Sequence, residues 1–62
     1  MSAAVSYSIT GASAATGVSV DIIRRAIRSG HLVAHYPTSR PVILATDLAE
    51  WIARAPMERT TA

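Results

Sequence analysis

The stretch 18–32, VSVDIIRRAIRSGHL, constrains the fold of this chain more than any other. Ser19 stands where a hydroxyl can accept a hydrogen bond from an amide of a first helical turn. Gly30 supplies a residue that readily takes the left-handed conformation on which many helices end. Between them the spacing predicts a helix that runs to Ser29. At 100° per residue, Val20, Ile22, Ile23, Ala26 and Ile27 fill one continuous arc, while Asp21, Arg24, Arg25 and Arg28 fill the opposite one. The apolar arc requires a core to cover it. The other arc presents three guanidinium groups.

How large that core can be follows from length. Sixty-two residues make one domain, near the lower end of what folds without disulfides or a metal. With no cysteine, disulfide staples and thiolate metal sites are excluded, and a cytoplasmic location is expected. No apolar run is long enough to span a bilayer, and the first residues lack the layout of a secretory signal. All six cations are arginine, and the net charge is only +2. Its distribution is uneven. Residues 1–40 hold Arg24, Arg25, Arg28 and Arg40 against Asp21 alone, whereas Arg54 and Arg59 face Asp47, Glu50 and Glu58 in the remainder. Such a split suits a protein that offers one side to a polyanion, although a solvated basic face would give the same composition.

The remaining segments supply partners for the central helix. Residues 1–6 are expected to be flexible, with Val5 or Tyr7 able to touch the core. A first helix is expected from an N-cap at Ser8 to about Thr16, with Ile9, Ala12 and Ala15 facing inward and Gly17 as its stop. Its small residues allow a tight crossing, and helix, glycine-containing turn, helix is the helix-turn-helix pattern. Residues 32–36 and 41–45 are two β-prone runs separated by Pro37, Thr38, Ser39 and Arg40, which predicts a hairpin with prolines at its edges. A third helix is expected from residue 45 to 52, with Thr46 as N-cap and Leu48, Trp51 and Ile52 facing inward. Trp51 reads as a core anchor whose burial contributes on the order of 2–3 kcal/mol. Pro56 stops this helix, and 56–62 form an expected flexible tail. The fold class is therefore mostly α with a small β-hairpin: a winged helix-turn-helix of three helices, with the wing between helices 2 and 3, spanning residues 7–55.

TGVS (16–19), the helix with Arg25 and Ile27, RSGHL (28–32) and TDLAEWI (46–52) together resemble the excisionase-type winged helix-turn-helix domain. That domain is related to the DNA-binding part of the MerR regulators. The likeness covers about residues 7–54. It implies contacts to double-stranded DNA from Ser19, Asp21, Arg24, Arg25 and Arg28 on the second helix, and from Thr38, Ser39 and Arg40 on the wing. It also implies the work of a phage or mobile-element recombination directionality factor, which binds and bends attachment-site DNA beside an integrase, with copies placed side by side. Other members are small transcription regulators. The chain departs from the family in two ways. Val42, Leu44 and Ala45 stand where basic residues often lead into the third helix, and the coiled coil and effector domain of full MerR regulators are missing, so no small-molecule effector is expected.

On chemistry alone, an arginine can donate bidentately to guanine O6 and N7 or clamp a phosphate. Recognition helices reach bases from their N-terminal half, which favours Arg24 and Arg25 as base readers and puts Arg28 nearer the backbone. Asp21, one turn earlier, could orient either guanidinium. Thr38, Ser39 and Arg40 suit phosphate oxygens. Other chemistries fare poorly. His31 and His35 would lie roughly 13 Å apart on a strand, too far to share a metal. No glycine-rich elbow surrounds a serine, so neither catalysis nor a cofactor is expected. The remaining alternative is an adaptor whose basic helix docks an acidic protein.

Overall fold

Three short helices carry about half of residues 4–56, the part of the chain that the computed structural model describes. They are α1 (Ile9–Thr16), α2 (Val20–Arg28) and α3 (Ala45–Ala53). Two short strands, β1 (Ser6–Tyr7) and β2 (Ile43–Leu44), form an antiparallel pair with Ser6 opposite Leu44 and Tyr7 opposite Ile43. The molecule is mostly helical with a small antiparallel β component, as expected.

The α1–α2 corner is built from local chemistry. Ser8 caps α1 by accepting from the Gly11 amide at 2.9 Å. Gly17 ends it with φ at 78°, donating to the Ser13 carbonyl. The Thr16 hydroxyl then closes the corner: it donates to the Ala12 carbonyl at 2.7 Å and accepts from the Val18 amide at 3.1 Å. Ser19 caps α2 by accepting from the Ile22 amide at 3.3 Å. At the other end Ser29 is the C-cap rather than a helical residue, and Gly30 takes φ 84°. There the Gly30 amide donates to Ile27 and the His31 amide to Ala26, the pair of bonds that satisfies the last carbonyls of a Schellman ending.

Between α2 and α3 the expected hairpin is reduced to one bridge. His35 and Val42 exchange two backbone hydrogen bonds of 2.8 Å, and residues 36–41 form the loop beyond them. Pro41 has no N–H to extend this ladder. Ile43 and Leu44 pair instead with β1, so Ser6 belongs to a strand and not to a flexible leader. The same contact corrects the start of α3. Thr46 lies inside the helix, Leu44 occupies the cap position without a side-chain bond, and the Ala45 amide donates to the Val5 carbonyl at 2.9 Å. Arg54 ends α3 two residues before Pro56, whereas 57–62 of the expected tail and 1–3 of the expected leader lie outside the described residues.

The buried core consists of Ala12, Ile23, Ala26, Leu32, Ile43 and Leu48, with Tyr7, Ile9, Val18, Ile27 and Trp51 packed around it. Three inward expectations fail on geometry. Ala15 is exposed because burial on α1 centres on Ala12, and three residues of helix turn Ala15 about 60° away from it. Ile22, 40% exposed, sits at the edge of the α2 arc, and Ile52, 42% exposed, holds the matching place on α3. Trp51 is half-buried, so the deepest large side chains are Ile23 and Ile43, both fully enclosed.

Candidate nucleic-acid interface

Because Ile23 is fully buried, it marks the inward direction of α2. At 3.6 residues per turn, Asp21 and Arg25 project about 160° from it, Arg28 about 140°, and Arg24 only about 100°. Arg25 and Asp21 therefore point away from the body of the protein, while Arg24 leans sideways. The flank it leans toward is the one occupied by Ile27 and the 36–41 loop.

Two adjoining shallow recesses open on that flank. One is lined by Ile9, Arg24, Ile27, Arg28, Tyr36 and Pro41. The other is lined by Ser8, Ile9, Thr10, Arg24, Arg40 and Pro41. Arg24 belongs to both, and no carboxylate lines either. Among the described residues the single carboxylate contact to a basic side chain is that of Asp47 Oδ2 with His35 Nε2 at 3.7 Å, so Arg24, Arg25, Arg28 and Arg40 have no acidic partner there. The expected orientation of Arg24 or Arg25 by Asp21 is accordingly not formed.

The other expected contact residues divide by what they already bond. Ser19, Asp21, Thr38 and Ser39 are all exposed. The Ser19 hydroxyl is occupied as a cap, and Thr38 Oγ1 accepts from the Arg40 amide at 3.2 Å, which shapes the loop that carries Arg40. His31 and His35 are engaged separately: Ser29 Oγ lies 2.8 Å from His31 Nδ1, and His35 faces Asp47. Ile9, Thr10, Tyr36 and Pro41 line the recesses although the sequence did not single them out for contact. Tyr36 is 62% exposed, an unusual position for a large aromatic ring. An aromatic residue immediately before a proline in an expected edge strand was the available signal.

The opposite flank of α2 differs in character. Val18, Ile22, Val33, Trp51 and Ile52 line an apolar groove there, with His31 and Arg54 at its margin. One helix thus separates a cationic side from an apolar one. Among the described residues no helix is long and apolar enough to cross a membrane. No family model matches this chain, and no curated protein or solved structure does so either.

Proposed function

We propose that this chain is a winged helix-turn-helix DNA-binding protein of the excisionase type, acting without catalysis. In this reading α2 enters the major groove, the 36–41 loop serves as the wing, and the protein bends attachment-site DNA so that an integrase favours excision. The observation that carries the reading is the meeting of Arg24 and Arg28 from α2 with Arg40 from the loop in adjoining recesses free of carboxylates. Support comes from the α1–turn–α2 corner, whose glycine and paired caps hold α2 by its ends and leave its basic side open. A single helix and a small wing bury little DNA surface, so affinity for one site should be modest. Copies bound side by side, or contact with the integrase, would raise occupancy by linked binding.

Salt dependence tests the reading first. Each phosphate neutralised contributes about −0.9 to the slope of log K against log salt, so the two or three phosphates within reach of Arg24, Arg28 and Arg40 predict a slope of roughly −2 to −3 in an anisotropy titration on short duplexes. The absence of salt-sensitive DNA binding at every concentration would overturn the proposal in favour of docking to an acidic protein. Footprinting on DNA neighbouring the gene then separates roles. Protection at an attachment site, with more excised product when integrase is added, is expected. Protection confined to a promoter would make the chain a transcription regulator.

A further inference from the structure

We infer that Arg24 and Arg40 grip one and the same backbone phosphate of bound DNA, which makes Arg24 a positioning residue and leaves base reading on α2 to Arg25. The assignment rests on the DNA-binding reading above and divides labour within it. By sequence alone, Arg24 and Arg25 are equivalent neighbours in the N-terminal half of the helix. Their surroundings are not. Arg24 leaves the helix sideways and lines, together with Arg40, a recess to which the α1 cap Ser8 and Thr10 of its first turn also belong. Arg25 lines neither recess on that flank and projects outward, the direction in which a groove floor would lie.

The recess has the composition expected for a phosphodiester oxygen pair. Two guanidinium groups come from different elements, α2 and the loop, and two hydroxyl-bearing residues come from a third. The first turn of α1 carries no acidic residue, so nothing there offsets the charge. A guanine edge asks for one planar fork approaching along the base plane, whereas a phosphate accepts donors from several directions. Donor-bearing residues from three parts of the chain that line one recess beside the helix suit the second geometry. In the proposed DNA-bound arrangement this recess lies between α2 and the 36–41 loop, beside the sugar–phosphate wall of the groove that α2 enters.

The test uses a short duplex enriched from a random pool, with R24A, R40A, R25A and the R24A/R40A double variant. All three positions are exposed, and the four variants should melt like the parent. R24A should weaken binding to the enriched duplex and to a random duplex by the same factor and reduce the salt slope by less than the roughly 0.9 of a whole phosphate, because Arg40 still holds the shared one. R40A should do likewise. R25A should lose affinity for the enriched duplex only. In a scan of neutral methylphosphonate substitutions, a single backbone position should abolish the difference between parent and R24A and also between parent and R40A, and the double variant should lose less than the product of the two single losses. If R24A instead relaxes sequence preference, or if the two variants map to different phosphates, the shared grip is overturned while DNA binding stands. A parent that binds no duplex overturns both.

Discussion

Gly17 and Thr16 decide the α1–α2 corner at the level of single residues. Gly17 has φ 78°, and a Cβ added there would meet nothing within 4 Å, so alanine at this position would suffer from backbone conformation alone. Gly17→Ala should destabilise the fold by about 1–2 kcal/mol. For a domain of this size that lowers Tm by roughly 4–8 °C per kcal/mol, readable by circular dichroism. An unchanged melt would mean that the corner relaxes away from the left-handed conformation. Ser8, Ser19, Gly17 and Gly30 were all legible in the sequence as caps and stops, because each acts on amides or carbonyls within a few residues of itself. The bridging role of Thr16 was not. A threonine near a helix end reads as a weak helix former until its hydroxyl is seen to join Ala12 to Val18.

At the level of elements, α1 and α2 followed the sequence closely, whereas the β part did not. Two β-prone runs next to each other suggested that they pair with each other. Ile43 and Leu44 pair with Ser6 and Tyr7 instead, and the Val5 carbonyl supplies the partner that α3 lacks from its own cap side chain. Removal of residues 1–6 should therefore cost on the order of 1–3 kcal/mol, the net worth of two or so backbone hydrogen bonds together with lost packing. The urea midpoint of the truncated chain against the full one measures this. Equal midpoints would show that β1 contributes nothing to α3. Pairing of this kind was hidden because it joins segments far apart in the chain, and nothing in either run names its partner.

At the level of the whole molecule, the core is small and depends on its two enclosed isoleucines. Ile23→Ala should cost about 2–5 kcal/mol, a large part of the several kcal/mol expected for a domain of this length. Trp51→Ala should cost less, despite the larger side chain, because the indole is only partly buried at the margin of the core, whereas Ile23 is fully enclosed. Parallel thermal melts of the two variants check the order, and a lower Tm for the tryptophan variant would reverse it. The same core sets the rotation of α2. With Ile23 pinned inward, Arg25 is aimed outward and Arg24 toward the 36–41 loop, which places Arg24 and Arg40 in one recess.

Periodicity determined the three helices and the basic side of α2, caps and glycine stops fixed the ends of α1 and α2, and β-prone runs marked a short β segment after them, since all of these depend on residues close in the chain. Which residues of the apolar arcs reached the core, which strand paired with which, and which arginine faced the 36–41 loop were decided only by tertiary structure. Each of those outcomes depends on the packing of one element against another distant in the chain. Two adjacent arginines on a helix are alike in a sequence, and they become different only when a buried isoleucine fixes the direction in which the helix turns.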